Sequence, residues 1–252
     1  CNSDYDWIRL GFSGGHPVSW HYFFNPFPNK KFDVYFCSEG KSDGFGSQLQ
    51  ACFSLIAFCE YKNFKYVHRP FDRMHHNDEN LDNFPSIMNE FVGFESEFGN
   101  IDSLSNFQKS KLHKFKEGYL VHGSYYPEFF YTTDVIDKIK KCYYSTPKPD
   151  LSTSYLPNTY NVALHIRRGD VGSNNKHLSR YTSNDDYINL LKKHKLPNNV
   201  VLHIFSQGKP EDFKNIINEY PKVVLHLDEN IRITFHSLVK ADLLILSKSS
   251  FS

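Results

Sequence analysis

Asn161-Val162-Ala163-Leu164-His165-Ile166-Arg167-Arg168-Gly169-Asp170 joins an apolar run of strand length to two guanidiniums, a glycine and a carboxylate. A buried strand has no use for such an end. A strand that hands its last side chains to a crevice does, because open α/β sheets bind ligands beyond the carboxyl ends of their strands. Adjacent strand residues point to opposite faces. One arginine of the pair is therefore expected to meet a ligand, and the other to hold the loop. Arginine's planar fork suits phosphate better than lysine's point charge. The stretch predicts a phosphate-bearing ligand at a strand end of an α/β fold.

Outward from it, the second half reads cleanly. Residues 162–166 form a strand. Ser183-Asn184-Asp185-Asp186 supplies an N-cap with a carboxylate three residues on, opening a helix to about 194. A strand over 200–205 follows, then a helix from Pro210 to about 220, proline being at home in a first helical position. Residues 223–227, 231–240 and 243–246 read as strand, helix and strand. Such alternation implies a parallel sheet.

In the first half, 31–37 alternates as a strand and 38–46 is a loop with Gly40, Gly44 and Gly46. From Ser47 the period becomes helical, with Leu49, Cys52, Phe53 and Ile56 on one face to about 61. Residues 64–68 form the next strand. A Gly-rich loop opening onto a helix N-terminus favours anions. Helices over 86–91, 101–111 and 133–143 and a strand over 119–122 are predicted, and 1–30 reads as irregular. The stretch 145–158, with Pro147, Pro149 and Pro157, reads as the linker between domains at 1–150 and 151–252.

The 252 residues suffice for one large or two small α/β domains, each with a core. The 23 Phe and 16 Tyr are read as core packing before sugar-stacking surface, given the area each ring buries. A net charge of +1 argues against a general nucleic-acid binder. Five cysteines, with no Cys-x-x-Cys, indicate neither a disulfide framework nor a zinc site. Cys52 and Cys59, seven apart on a helix, should share one side as small apolar residues. This usage suits a reducing compartment. No apolar run approaches the ~20 residues of a membrane span, and Cys1-Asn2-Ser3-Asp4 does not read as a signal peptide. Both ends read as cut ends. A cytoplasmic protein and a soluble domain of a longer one, cytoplasmic or lumenal, both stay open.

His165-Ile166-Arg167-Arg168-Gly169-Asp170 resembles the HxRRGD-type motif of the fucosyltransferase superfamily. Gly44-Phe45-Gly46-Ser47-Gln48-Leu49-Gln50 is similar to that superfamily's N-terminal Gly-x-Gly-x-Gln motif. The final 241–252, from Ala241-Asp242 to Ser249-Ser250-Phe251-Ser252, resembles its late Asp…Ser-Ser/Thr-Phe-Ser motif. The resemblance implies a GT-B-like fold of two Rossmann-like domains facing a cleft. The first would carry the Gly-rich loop and the acceptor side, and the second the nucleotide sugar. The implied activity is inverting transfer of L-fucose from GDP-fucose to a glycan hydroxyl. Two alternatives are another donor such as UDP-xylose and a non-catalytic glycan- or nucleotide-binding module.

The two arginines are either a structural ion pair with Asp170 or Asp242 or, by the resemblance, a site in which Arg167 contacts the donor diphosphate and offsets charge on the leaving group while Arg168 holds the loop. Asp170 is either a turn residue or a catalytic carboxylate. His165 is either a motif residue or a hydrogen-bonded core histidine. Gly44, Phe45, Gly46, Ser47 and Gln48 form the candidate phosphate loop. Position 47 carries serine where the α1,2 group usually has asparagine, which leaves no amide there. Ser249 and Ser250 suit diphosphate oxygens, Phe251 a base or a core cap, and Asp228 is either a partner for a guanine edge or a solvated loop carboxylate. No cofactor is expected beyond the donor substrate. No Asp-x-Asp stands at a strand end, Asp185-Asp186 opens a helix, and His75-His76 beside Asp78 reads as a solvated loop. Metal-independent chemistry is therefore expected, with guanidinium and N–H groups in place of a cation.

Overall fold

This computed structural model describes residues 34–77, 81–115, 130–172 and 178–251. They form an α/β protein that divides between Pro147 and Lys148, inside the proline-containing stretch, into two compact units.

The first unit runs β1 (Tyr35–Ser38), α1 (Phe45–Lys62), β2 (Lys65–Tyr66), α2 (Phe84–Val92), α3 (Glu95–Phe98), α4 (Asn106–Lys109), β3 (Leu112–Phe115) and α5 (Thr133–Tyr144). Its three described strands are parallel, in the order β2-β1-β3. α1 buries Leu49, Cys52, Leu55, Ile56 and Cys59. It stops at Asn63, whose left-handed backbone returns its N–H to the carbonyls of Cys59 and Glu60. Cys52 and Cys59 both lie in the core, and burial pushes the Cys52 thiol up to about 12. Aromatics fill the space between helix and sheet. The Phe36 ring stacks on Phe64 at 4.8 Å, and Phe58 of α1 lies 5.1 Å from Phe115 of β3.

Two expected helices depart from the sequence pattern, the first of them over 101–111. Residues 101–111 are not a single helix. A 3-10 turn, Ile101–Ser103, is followed by the four-residue α4. A reciprocal Ser105–Gln108 capping box opens α4, and Lys111 N–H closes it on Gln108 C=O. From Leu112 the chain pairs with β1, Leu112 opposite Tyr35 through Phe115 opposite Ser38. The break lies at Leu104 and Ser105, which are extended (ψ 138° and 161°), and the Ser105 hydroxyl serves as the cap of α4. The strand expected over 119–122 and the irregular 1–30 lie outside the described residues.

The second unit runs β4 (Tyr160–His165), α6 (Asn184–Lys192), β5 (Val200–Ser206), α7 (Lys214–Glu219), β6 (Val223–Leu227), α8 (Ile231–Lys240) and β7 (Leu243–Ile245). The strands are parallel, in the order β6-β5-β4-β7. A Ser183–Asp186 capping box opens α6. The stretch 210–220 is a 3-10 turn, Pro210–Phe213, followed by the short α7, because Phe213 leaves helical backbone (φ −113°, ψ 9°) to bury its ring completely.

One sheet face is apolar. Val162, Leu164, Ile166, Leu202 and Ile204 pack against Tyr187 and Leu191 of α6 and against Phe213 and Ile216. Each such side chain contributes roughly 1.5–3 kcal/mol on burial. The opposite face carries Asn161, His203 and His226, under Tyr155 and α8. The Tyr155 hydroxyl donates to the Ser237 carbonyl at 2.9 Å, and its ring lies 4.6 Å from that of His203. Among the described residues, no helix is long and apolar enough to cross a membrane.

Candidate functional site

Strand order places a site in each unit. In chain order, the second sheet reads 3-2-1-4 and the first 2-1-3. Both reverse direction at their first strand, and the crevice at the carboxyl end of such a reversal is where open α/β sheets take ligands. The loops after β4 and after β1 stand at these points.

In the second unit, Arg167 leaves β4 and forms a two-pronged pair with Asp170. Nε donates to Oδ1 at 3.2 Å and Nη2 to Oδ2 at 2.7 Å. The Arg167 side chain is 19% exposed and that of Asp170 45%, so the pair sits at the rim. Arg168 turns into the protein. It donates to the carbonyls of Arg167 and Thr182 and to Asn184 Oδ1, and lies over the Tyr181 ring. It clamps the β4 end to the start of α6. Gly169 has φ +75°, and a Cβ there would collide with the Gln207 side-chain amide.

Neighbouring strand ends lace this edge together. The Ser206 hydroxyl donates to the Ile166 carbonyl at 2.6 Å, and Asp228 N–H to the Ser206 carbonyl. Ser247 Oγ lies 3.3 Å from His165 Nδ1, joining β7 to β4. Burial, aided by the Arg167 charge, pushes His165 down to about 4, so it is neutral near pH 7. Asp228 is exposed in left-handed backbone (φ 51°). Ser249 and Phe251 are part-buried and Ser250 exposed. In the first turn of α6 the Asp186 N–H donates to Ser183 Oγ, and in that of α8 the Arg232 and Ile233 N–H groups donate to Asn230 Oδ1.

The first unit carries a cleft of about 340 Å³, lined by Glu39, Gly40, Lys41, Ser42, Asp43 and, from the loop after β2, Arg69, Asp72, Arg73 and His75. Arg69 holds the two loops together, Nη1 donating to the Glu39 carbonyl at 2.6 Å and Nη2 to Asp72. Gly40 (φ +95°) lets that guanidinium approach, since a Cβ would lie 2.9 Å from its carbon. The Gln48 amide donates to the carbonyls of Asp43 and Arg73. Lys41 donates to Ser47 Oγ at 2.6 Å and pairs with Asp43 at 3.4 Å. Burial opposes ionisation of Asp43, but Ser47, the Gly44 N–H and Lys41 outweigh it and hold the carboxyl below its usual range.

Gly44 is the N-cap of α1, with no side-chain cap, so Phe45, Gly46, Ser47 and Gln48 form the first turn of the helix. Phe45, Gly46 and Gln48 are buried there, and Ser47 is part-buried. Glu39, Lys41, Arg69, Asp72 and Arg73 escaped the sequence reading. The signal for them is His68-Arg69-Pro70-Phe71-Asp72-Arg73, a strand end running into guanidiniums and a carboxylate, as at 165–170. Among the described residues, no three His, Cys, Asp or Glu side chains could hold a metal ion.

No family model matches the chain, and no curated protein does. Solved structures give distant likenesses. NodZ alpha-1,6-fucosyltransferase co-crystallised with GDP is 12% identical with a TM-score of 0.49, over 86% of this chain and 90% of that one. The same enzyme soaked with GDP-fucose gives 10% and 0.42, over 86% and 90%. E. coli heptosyltransferase WaaC with ADP-2-deoxy-2-fluoro heptose gives 10% and 0.35, over 87% and 84%. Likenesses this remote carry no residue roles across.

Proposed function

We propose that this chain is a metal-independent, inverting glycosyltransferase of GT-B type that moves L-fucose from GDP-fucose to a glycan hydroxyl. The observation that carries the reading is the Arg167 fork at the β4–β7 reversal. The donor diphosphate would displace the Asp170 carboxylate from that fork, one two-pronged acceptor replacing another. The bond from the anomeric carbon to the phosphate oxygen breaks. The acceptor oxygen bonds to the opposite face of that carbon, and its proton leaves to a base. Arg167 offsets the charge arriving on the diphosphate, an electrostatic role. Fucose and guanine rest on the three sequence motifs, with Asp228 as the candidate for the guanine edge.

The first unit suits the acceptor. Its cleft sets Lys41, Arg69 and Arg73 against Glu39, Asp43 and Asp72, a balance better matched to a hydroxyl-rich neutral ligand than to a diphosphate.

Thermal stabilisation by GDP, UDP, CDP and ADP tests the donor. A ligand at ~100 times its dissociation constant adds about 2.7 kcal/mol, hence roughly 2–4 °C for a protein of this size. GDP is expected to give the largest shift. A shift with UDP alone would transfer the reading to a UDP-sugar. Release of free GDP from GDP-fucose separates an enzyme from a binding module. It should survive excess EDTA, and loss on chelation with recovery on manganese would refute metal independence.

A further inference from the structure

Two loops wall the first unit's cleft, 39–43 after β1 and 69–75 after β2. Main-chain atoms tie them together. The Glu39 carbonyl takes Arg69 Nη1, and the buried Gln48 amide donates to the Asp43 and Arg73 carbonyls at 2.7 and 2.8 Å. The His75 N–H donates to the Asp43 carbonyl at 3.3 Å, and a parallel bridge joins His75 to Gly44.

The polar side chains of the cleft divide into two groups. Arg69 is paired with Asp72, and Lys41 with Asp43 and Ser47, so these charges are answered within the protein. The Glu39 carboxylate, Ser42 hydroxyl, Arg73 guanidinium and His75 ring have no hydrogen-bond or ion-pair partner among the described residues. Glu39, Arg73 and His75 are also residues whose main chain is tied down. Their stems are fixed while their polar ends stand exposed in the cleft wall.

These ends define a ligand. A carboxylate only accepts hydrogen bonds and a guanidinium only donates them, whereas a sugar hydroxyl does both. Vicinal hydroxyls can give two hydrogen bonds to a carboxylate or take two from an arginine fork. An anionic ligand would meet Glu39 beside Asp43 and Asp72, and a cationic one Arg73 beside Lys41 and Arg69. At about 340 Å³ the cleft lies near the lower end of ligand pockets, roughly 300–1,000 Å³, so it takes a small ligand or the end of a longer one.

We propose that Glu39 and Arg73 select an uncharged terminal sugar with vicinal hydroxyls, Glu39 accepting from it and Arg73 donating to it. Glu39 turns away a sugar carboxylate and Arg73 a sugar ammonium. The inference rests on the acceptor reading of this cleft and not on the identity of the donor.

Amide spectra of the 15N-labelled full chain test it, titrated near neutral pH with methyl β-glucoside, methyl β-glucuronide and methyl 6-amino-6-deoxy-β-glucoside. The three share their ring hydroxyls and differ at the exocyclic carbon, which carries hydroxyl, carboxylate or ammonium. The neutral glycoside should bind most tightly and move the amides of 39–43 and 69–75. Glu39→Gln should weaken it about tenfold, the loss of one hydrogen bond to a charged group, and raise the affinity of the glucuronide relative to it. Arg73→Gln should weaken the neutral sugar by a similar factor and raise the relative affinity of the amino sugar. Both variants should keep the wild-type melting temperature, since neither side chain has a protein partner to lose. A wild type that prefers a charged glycoside overturns the proposal. Variants that bind all three as wild type does, or lose all three equally, overturn the selecting role. GDP stabilisation without any glycoside binding at these amides sinks this inference alone. Glycoside binding by a chain that ignores GDP sinks the donor reading alone.

Discussion

The two units start from one plan and end in different chemistry. Each places the loop after its first strand at a reversal in strand order, and each has a left-handed glycine there, Gly40 against the Arg69 guanidinium and Gly169 against the Gln207 amide. In the first unit Arg69 binds its neighbours' carbonyl and carboxylate and holds two loops as the walls of a charge-balanced cleft. In the second, Arg168 does the holding, and Arg167 stands at the rim with Asp170 across its fork. Topology fixes where a ligand can sit. What it can be is decided by which guanidinium is spent on structure.

The sharpest way to break this division is Arg167→Lys. Lysine keeps the charge and loses the fork. Turnover should fall about 100-fold or more, by analogy with loss of one oxyanion-type donor, with kcat and kcat/KM falling together. Arg168→Lys should instead lower the melting temperature and spare kcat per folded molecule. A folded but inactive Arg168 variant beside a near-normal Arg167 variant would exchange the two roles.

Much of this plan was legible. The 161–170 stretch announced strand β4 and a pair of arginines with different tasks, and Ser183-Asn184-Asp185-Asp186 announced the helix that Arg168 grips. Strand β3 was not legible. Four residues, Leu112 to Phe115, carry too little periodicity, and their partner Tyr35–Ser38 is distant in sequence. The first unit's cleft was hidden because α1 separates its two loops in sequence. Asn161, His203 and His226 each read as a lone polar residue in an apolar strand. Only the register, with Ala163 opposite His203 and Phe205 opposite His226, puts them on one face.

Acid should separate the units next. Burial first, with nearby positive charge, pushes His165, His203 and His236 of the second unit down to about 4. In the first unit His68 is lowered too, chiefly by burial. Unfolded histidine titrates near ~6.5. Between these values the unfolded chain binds more protons, so stability rises with pH. It is fully present above about 6.5 and drains as pH falls toward 4, by at most about 1.4 kcal/mol per pH unit for each such histidine. Hydrogen exchange between pH 6.5 and 5, where most carboxylates stay ionised, should show the second unit's strands losing protection before the first unit's. The reverse order would mean that these rings are not held neutral.

The smallest expected effect concerns the glycines of the two loops. Gly169 combines φ +75° with the Gln207 amide where a Cβ would go. Gly169→Ala must strain the backbone, at about 1–2 kcal/mol for a left-handed non-glycine residue, and displace Gln207. Gly44 has φ −63°, and an added Cβ would meet only the His76 ring, at 3.2 Å. That ring is exposed and can yield, so Gly44→Ala should cost well under about 1 kcal/mol, as surface substitutions usually do. Melting temperatures should fall by roughly 2–4 °C per kcal/mol for Gly169→Ala and barely move for Gly44→Ala. GDP stabilisation then reads the sites apart from the fold. Because Gly169 sets the spacing between Arg167 and Asp170, its variant should lose GDP stabilisation while the Gly44 variant keeps it. Loss of GDP stabilisation in the Gly44 variant alone would move the donor phosphate to the first unit's helix N-terminus and leave Arg167 a structural role.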